Sequence, residues 1–379
     1  MPTLSGCWDR VELQDLAIIT GLAIDRVDNE KIKVTAQIFI PRSITSGETG
    51  EDPGLGSTYI REGIGNNLAN AISMLQISIP RRIFWGQCKI FIFGEEVAKQ
   101  GIRDGIDFLA RHPGPRGTSN IYVSEGEAKK ILILIPLLER YSGEALKKLS
   151  QGEAGMKTTM RDIDIALMGE GESITVPYIR PLASHDPTRK PNQTIPMIEG
   201  TAVFRKDKMI GTLNMSETRG LLWLKDDVKR STISVKLEGE DGEITMTPTL
   251  GSIKYKPEIK KDHWIMNLKL KIEGDIVQNE THLNLMNEDI IKRITKEYEK
   301  ALKKRVSLTT DKFIRGFQTD AISFGRRFHE KYPQEWKQVK NNWDEKFPEV
   351  EVKISVNAKI RRPGYIGPPA ALPRDEVEE

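Results

Sequence analysis

The sequence predicts an α+β, multi-domain protein with mixed and antiparallel sheets, packed helices and no transmembrane helix. Segments of alternating hydrophobicity, typical of strands, occur in both halves of the chain. Between them lie stretches whose apolar residues recur every three or four positions, typical of amphipathic helices. The longest apolar run, residues 131–138, has eight residues and contains Pro136. It is much shorter than a bilayer-spanning helix.

Length and composition exclude several classes of protein. A chain of 379 residues exceeds the size that one core usually reaches, so two or three domains are expected. The 57 basic and 54 acidic residues nearly balance, which argues against a nucleic-acid partner. Cys7 and Cys88 give no disulfide framework and no zinc spacing, and the five histidines are scattered. We therefore expect no metal and no cofactor.

The first half alternates predicted strands with predicted helices. Two strands, 15–25 and 31–41, surround a turn at 27–30. A helix over 66–75, a strand over 83–93 and a helix over 95–111 follow. Ser124 and Glu127 have the spacing of a capping box for a further helix that ends near Pro136. The remaining predictions are a strand over 120–123, helices up to 149 and over 160–168, and a strand over 175–179.

The second half contains more strands and two long helices. We predict a hairpin of strands 199–205 and 208–213, and a helix that begins at Ser216. Strands over 231–238, 251–259 and 265–273 precede helices over 287–304 and 312–331, and a last alternating strand spans 350–361. The second helix carries apolar residues at spacings of four and three, which favours a core face: Phe313, Phe317, Ala321, Phe324 and Phe328.

A domain boundary is predicted at residues 181–196, where Pro, Asn, Ser and charged residues show no periodicity. This gives an N-terminal α/β domain over 8–185 and a C-terminal α+β domain over 196–365, with a candidate subdivision near 230–250. Residues 366–379 end a Pro-rich and then acidic stretch. Such a composition predicts a disordered tail.

No catalytic centre is visible in the sequence. It has no His-x-x-x-His helix pair for a metal, no Gly-x-Ser-x-Gly elbow and no Gly-x-x-x-x-Gly-Lys phosphate loop. The paired carboxylates Asp162 and Asp164 are best interpreted as the polar face of a short element. We predict a protein that is not an enzyme.

Cys7 is the candidate lipidation site. The preceding Leu4-Ser5-Gly6 resembles a bacterial lipobox, where a diacylglycerol group is attached to the cysteine. Only six residues precede Cys7, without the charged and apolar regions of a signal peptide, so we expect a trimmed start or a start codon assigned wrongly. The alternative is an ordinary cysteine near a frayed terminus.

Glu217, Arg219 and Trp223 form a second candidate site. Near a helix start, Glu217 and Arg219 are typical of a cap and a surface ion pair. The alternative is a contact with a partner subunit or between the two domains, because Trp and Arg are enriched at the centres of protein interfaces.

Three segments together resemble the spore-germination receptor C-subunit lipoproteins, the Ger(x)C family. The first runs from Gly6-Cys7-Trp8-Asp9-Arg10 to Gly21-Leu22-Ala23-Ile24-Asp25 and is similar to the mature start of these proteins. The second, from Glu199-Gly200-Thr201 to Glu217-Thr218-Arg219-Gly220-Leu221-Leu222-Trp223, carries the most specific motif. The third includes Asp320, Phe324-Gly325-Arg326, Trp336, Trp343 and Phe347-Pro348-Glu349-Val350. The resemblance extends from Cys7 to about Gly364.

The resemblance implies a lipid-anchored subunit of a nutrient germinant receptor in the spore inner membrane. It implies integral-membrane A and B subunits as partners, an extracytoplasmic location, a removed signal peptide and acylation of Cys7, of which palmitate is one form. A lipid-anchored solute-binding protein that captures the nutrient directly is the alternative function. Two similar lobes around a cleft are typical of such proteins. The dissimilar halves of this sequence favour the subunit, and no constellation of residues supports an anchored hydrolase.

Overall fold

A computed structural model describes residues 12–28, 30–40, 57–152, 155–168, 173–183, 187–188, 190–227 and 232–362. The α+β class with mixed sheets is confirmed. Within these ranges, no helix combines the length and the hydrophobicity needed to cross a bilayer. Cys7 and the tail 366–379 lie outside the described residues.

The described part of the first half is built on a mixed sheet of nine strands. Their order is β3-β2-β1-β5-β6-β7-β8-β9, with β4 paired to the start of β1. β1, β5, β6 and β7 are parallel neighbours, and antiparallel strands flank them on both sides. The strands are β1 Leu16–Arg26, β2 Ile32–Phe39, β3 Thr58–Gly65, β4 Arg82–Phe84, β5 Ile90–Gly94, β6 Asn120–Ser124, β7 Thr175–Pro181, β8 Pro196–Arg205 and β9 Lys208–Asn214.

Helices cover both faces of this sheet because the central strands are apolar on both sides. Phe91 and Phe93 face one buried cluster, and Ile90 and Ile92 face the other. The helices are α1 Leu68–Ile77, α2 Glu95–Gln100, α3 Arg103–Arg111, α4 Lys129–Leu132, α5 Ser142–Gln151 and α6 Met160–Met168.

The second half has a sheet of four described strands, in the order β10-β11-β12-β13. β11 and β12 form a long antiparallel hairpin, and β13 adds in parallel to β12. A long helix, α8, packs against this sheet, and the hydroxyl of its Tyr298 donates to the Ile244 carbonyl oxygen at 2.8 Å. The elements are β10 Ile233–Val235, β11 Ile244–Lys260, β12 His263–Asn279, β13 Glu351–Arg362, α7 Met215–Leu224, α8 Glu288–Asp311, α9 Phe324–Lys331, α10 Pro333–Val339 and α11 Trp343–Lys346.

Several predicted elements are interrupted. The strand predicted over 83–93 is split by a turn in which the Cys88 amide donates to the Trp85 carbonyl oxygen. The helix predicted over 95–111 breaks at Gly101, whose φ of 136° is left-handed backbone. The capping box predicted for Ser124 and Glu127 is not formed, since a single helical turn follows and the Asp25 carboxylate accepts from its first amides.

The helix predicted over 312–331 is also divided. A π-helical segment, Lys312–Phe317, continues α8, and α9 starts only at Phe324. Gln318 and Ser323 between them have left-handed backbone. The predicted core face is nevertheless correct, because Phe313, Phe324 and Phe328 are buried. They belong to the large hydrophobic cluster formed mainly by the second half of the chain, which we call the second core.

The predicted domain boundary lies between two strands that pair with each other. β8 and β9 follow residues 181–196 in sequence, yet they extend the first sheet beyond β7. The division into domains 8–185 and 196–365 therefore stays a prediction, and so does the subdivision near 230–250.

Candidate functional site

The most specific sequence motif lies on α7. The helix is capped by Asn214, whose side chain accepts from the Glu217 amide at 2.9 Å. In return, the Glu217 carboxylate accepts from the Asn214 amide at 2.9 Å. This is a reciprocal capping box, and the helix begins at Met215, one residue before the predicted start at Ser216.

α7 joins the first sheet to α8. On one side, the Thr218 hydroxyl lies 3.0 Å from the Thr201 hydroxyl of β8. On the other side, the Thr309 hydroxyl of α8 donates to the Glu217 carbonyl oxygen at 3.0 Å. The Glu217 carboxylate also lies 3.5 Å from the Lys312 ammonium group. Glu217 therefore caps its own helix and ties it to α8.

Gly220 sets the close approach of these two helices. A β-carbon at this position would lie 2.9 Å from the Arg305 carbonyl oxygen and closer still to the Thr309 hydroxyl. Such contacts are shorter than side chains tolerate. Glycine is thus required by the packing of α7 on α8 and not by its own backbone conformation, which is helical.

Trp223 is a core residue. It is 2% exposed and belongs to the second core, together with Leu221, Leu222 and Leu224. The three predicted residues therefore differ in surroundings: Glu217 and Trp223 contact the rest of the chain, and Arg219 is exposed. Which of them contacts a partner stays a prediction.

Arg219 lies near Arg305, a residue to which the sequence analysis assigned no role. Burial and the charge of Arg219 both lower the pKa of Arg305. The Nη1 atom of Arg305 is buried without a hydrogen-bond partner. Among the described residues, neither guanidinium group forms an ion pair with a carboxylate. Two like charges therefore lie near each other at the surface of the α7–α8 contact.

A second joint forms around Asp320, where the third resembling segment begins. The buried Asp320 carboxylate accepts from the amides of Phe324 at 3.0 Å and Gly325 at 2.6 Å. The indole N–H of Trp343 donates to it at 3.0 Å. Burial raises the pKa of this carboxyl, and the hydrogen bonds oppose that effect. The carboxylate thereby holds α9 against the aromatic core.

The same loop docks on the first half. The Ser173 hydroxyl lies 2.7 Å from the Thr319 hydroxyl, and the Ser173 amide donates to the Asp320 carbonyl oxygen at 3.2 Å. The Arg205 guanidinium donates to the Phe317 carbonyl oxygen at 2.6 Å. Sequence periodicity could not reveal this joint, because its partners lie more than a hundred residues apart.

The described residues offer little for covalent or metal chemistry. They contain no group of three or more His, Cys, Asp or Glu side chains that could hold a metal ion. Cys88 is fully buried, and burial raises the pKa of its thiol far above the usual range. The arrangement around α7 and Asp320 serves packing and surface charge.

Family profiles match both halves of the chain. One described as "Spore germination protein N-terminal domain" matches residues 9–181. Another, "Spore germination B3/ GerAC like, C-terminal", matches residues 199–364 and includes the whole α7 motif. The chain belongs to the Ger(x)C family. Members of this family are C subunits of spore germination receptors, and this Ger(x)C chain shares the receptor role.

Relatives of this Ger(x)C chain span nearly its whole length. It is 27% identical to spore germination protein KC of Bacillus subtilis over 95% of this chain and 93% of that protein. It is 26% identical to spore germination protein YndF of Bacillus subtilis, over 97% of this chain and 95% of that protein. The crystal structure of the GerBC protein superposes with a TM-score of 0.59 at 19% identity, covering 90% of this chain and 97% of GerBC. At that identity the superposition shows a shared fold.

Proposed function

We propose that this chain is the lipid-anchored C subunit of a nutrient germinant receptor. Cys7 carries the anchor at the extracytoplasmic face of the spore inner membrane. The protein acts without catalysis, together with integral-membrane A and B subunits, to trigger germination. The observation that carries the proposal is the match of both halves of the chain to a family of receptor C subunits.

The position of Cys7 supports the anchor. It lies two residues before the matched N-terminal domain begins and directly follows the lipobox-like Leu4-Ser5-Gly6. Two or more acyl chains on one cysteine give stable membrane attachment. The described helices supply no spanning segment, so an attachment at Cys7 would account for membrane association of this chain.

The dissimilar halves favour a subunit over a solute-binding protein. The described residues form a large mixed sheet in the first half and a small sheet with a long hairpin in the second. Two similar lobes around a cleft, typical of proteins that capture small solutes, do not match this arrangement. Nutrient therefore acts on this subunit only indirectly in our proposal.

Replacing Cys7 with Ala tests the anchor. In spores that carry the Cys7→Ala chain, we expect the protein to be absent from the membrane fraction. These spores should also germinate poorly on single nutrients. Cys88→Ala is the matched control, because it removes the other thiol, which lies in the core. Unchanged membrane association of Cys7→Ala would show that contacts other than an acyl chain hold the protein at the membrane, and the lipid anchor would be abandoned.

We further propose that Arg219 contacts a partner subunit, while Glu217 and Trp223 hold the two halves of the chain together. Arg219 is exposed and, with Arg305, presents positive charge without a described carboxylate. A carboxylate of a partner would pair with the exposed Arg219 and offset the repulsion between the two guanidinium groups. The α7 motif thus serves packing on one side and partner binding on the other.

The variant Arg219→Ala separates these roles. We expect the free energy of unfolding to change by less than about 0.5 kcal/mol, because an exposed side chain without a partner is removed. The germination response should fall nevertheless. Lys303→Ala, an exposed change on the adjacent helix α8, is the control. Normal germination with Arg219→Ala would exclude the contact.

A further inference from the structure

One edge of the first sheet is the point at which the chain enters the fold. β1, β5 and β6 begin at this edge and the antiparallel β2 ends there, as the pairing of Ile19 with Ile38 shows. We call it the amino edge. β4 lies at the same edge, since Leu16 pairs with Arg82. The described chain therefore enters the sheet at the amino edge through β1, the third strand in the sheet order.

Basic side chains collect along the amino edge. They come from β4 and the residue before it, from the turn before β5, from the loop before β6, from the loop before α5 and from α5 itself. The group consists of Arg81, Arg82, Lys89, Arg116, Arg140 and Lys147. None of the six forms an ion pair with a described acidic residue. Burial and the charges of Arg116 and Lys147 lower the pKa of Lys89, as expected where positive groups lie together.

The acidic groups near this edge are fewer than its basic groups. Glu12 and Asp15 flank the entry of the chain and are exposed. Asp162 is engaged in capping α6, where it accepts from the Thr159 amide at 2.8 Å.

Two further carboxylates lie near Arg140. Glu139 forms an ion pair with Lys148 at 2.5 Å, and Glu144 on α5 raises the pKa of the same lysine. These groups reduce the basic excess at the amino edge without cancelling it, although the whole chain has a net charge of only +3.

Large apolar side chains are exposed among these basic groups. Leu13 is 67% exposed, Ile77 76% and Leu138 90%, and Phe84 on β4 is also exposed. Since side chains alternate along a strand, Phe84 and Arg82 lie on the same side of β4. Exposed leucine and isoleucine of this size are not explained by the packing of the domain.

Hydrogen bonds fix these groups at the amino edge. The Gln76 side chain donates to the Arg81 carbonyl oxygen at 2.9 Å and accepts from the Ile83 amide at 2.9 Å, which ties the end of α1 to β4. The Ser57 hydroxyl donates to the Arg140 carbonyl oxygen at 2.5 Å, which holds the loop of Leu138 beside the start of β3.

The opposite edge, where the parallel strands end, carries ion pairs. Burial raises the pKa of the Tyr178 hydroxyl, and Glu95, Glu125 and Glu199, which lie around it, raise it further. Lys99 lies 2.9 Å from Glu95, and Arg180 lies 2.7 Å from Glu199. The two edges therefore differ, because the six basic groups of the amino edge have no such partners among the described residues.

We propose that the amino edge binds the surface of an anionic lipid bilayer. Clustered basic side chains are attracted to anionic headgroups, and exposed apolar side chains can insert between them. This inference rests on the proposed function, in which Cys7 carries the lipid anchor. Cys7 lies five residues before Glu12, and an extended chain of that length spans at most about 18 Å, so the anchor would lie close to the amino edge. An anchor on Cys7 would hold the amino edge against the membrane.

Vesicle binding of the full chain with Cys7→Ser tests the proposal without any lipid anchor. We expect it to sediment with vesicles of 30% phosphatidylglycerol in phosphatidylcholine and not with pure phosphatidylcholine vesicles (about 30% anionic lipid mimics a charged leaflet). Raising the salt concentration should weaken binding, because charges at a surface are screened.

Three pairs of substitutions locate the binding surface. Arg81→Gln with Arg82→Gln should lower the partition coefficient by about fivefold for each charge removed. Lys303→Gln with Lys304→Gln makes the same change in charge on the exposed face of α8 and should have little effect. Phe84→Ser with Leu138→Ser should weaken the part of the vesicle binding that remains at high salt, because these substitutions remove apolar side chains and not charges. Circular dichroism and thermal unfolding of each variant establish that it is folded.

Three results would overturn the proposal. One is equal binding of the Cys7→Ser chain to anionic and neutral vesicles or to neither. Another is a loss of vesicle binding in the α8 pair, Lys303→Gln with Lys304→Gln, as large as the loss in the β4 pair, Arg81→Gln with Arg82→Gln. The third is a germination defect of the β4 pair without any vesicle binding, which would assign the amino edge to a protein partner. The two experiments can fail separately. The vesicle assay uses a chain without an acyl group and tests the amino edge, whereas the Cys7→Ala experiment in spores tests acylation of Cys7.

Discussion

Single residues in the α7 motif have distinct physical tasks. Glu217 caps its helix and reaches Lys312, Thr218 contacts Thr201 of the first sheet, and Trp223 fills the second core. Gly220 removes the side chain that would separate α7 from α8. A motif that is compact in sequence therefore gathers contacts from both halves of the molecule.

Replacing Gly220 with Ala should destabilise the protein. Helix propensity alone favours Ala by about 1 kcal/mol. The added β-carbon, however, would clash with the Thr309 hydroxyl and with the Arg305 backbone, which cannot rotate away. Overpacking of this kind costs about 1–3 kcal/mol, so we expect a net loss in the free energy of unfolding measured by urea denaturation.

Gly117→Ala is the control for this prediction. A β-carbon at Gly117 meets only the Arg161 β-carbon, at an ordinary 3.7 Å. This variant should be as stable as the parent chain or slightly more stable. If Gly220→Ala were equally harmless, the close approach of α7 and α8 would not be a determinant of the fold.

At the scale of elements, the start of α7 depends on its capping box. Asn214→Ala removes the acceptor of the Glu217 amide and the reciprocal arrangement with it. We expect a loss of about 1 kcal/mol in the free energy of unfolding. Thermal and urea unfolding measure it directly.

Asn342→Ala provides the comparison, since Asn342 precedes α11 without a side-chain capping hydrogen bond. Its replacement should leave the free energy of unfolding within about 0.5 kcal/mol of the parent. Equal effects of the two asparagine replacements would contradict the role assigned to the Asn214 cap.

The sequence predicted which elements exist better than where they end. The helix of the α7 motif was expected to start at Ser216, but it starts at Met215 and its reciprocal capping pair uses Asn214 and Glu217. The helix predicted over 312–331 has continuous apolar spacing, yet it breaks where Asp320 accepts from Phe324, Gly325 and the distant Trp343. Periodicity reports local pattern, and these boundaries depend on partners from elsewhere in the chain.

The residues of the candidate site were also only partly predictable from the sequence. Glu217, Arg219 and Trp223 were found because residue type and spacing mark them, and the structure distinguishes the buried Trp223 from the exposed Arg219. Arg305 and Asp320 were not assigned a role, because nothing in their local sequence shows their burial. The amino edge could not be predicted either, since strand order alone brings its six basic residues together.

At the scale of the whole molecule, the first sheet and the second core meet through α7 and the loop around Asp320. β8 and β9 belong to the first sheet by hydrogen bonding, although they follow the predicted boundary at residues 181–196. If the sheet is the unit that unfolds together, these strands should share the stability of β5–β7. A domain that begins at residue 196 should instead show them opening with β11–β13.

Hydrogen exchange of the full chain distinguishes these outcomes. Ile272→Val in β12 weakens the second core by about 1 kcal/mol, and Ile92→Val in β5 weakens the first half by a similar amount. We expect amides of β8 and β9 to exchange faster in Ile92→Val and to keep their protection in Ile272→Val, because sub-global opening follows cooperative units. The reverse pattern would place the boundary before residue 196 and would make the pairing of β7 with β8 a contact between separately folding domains.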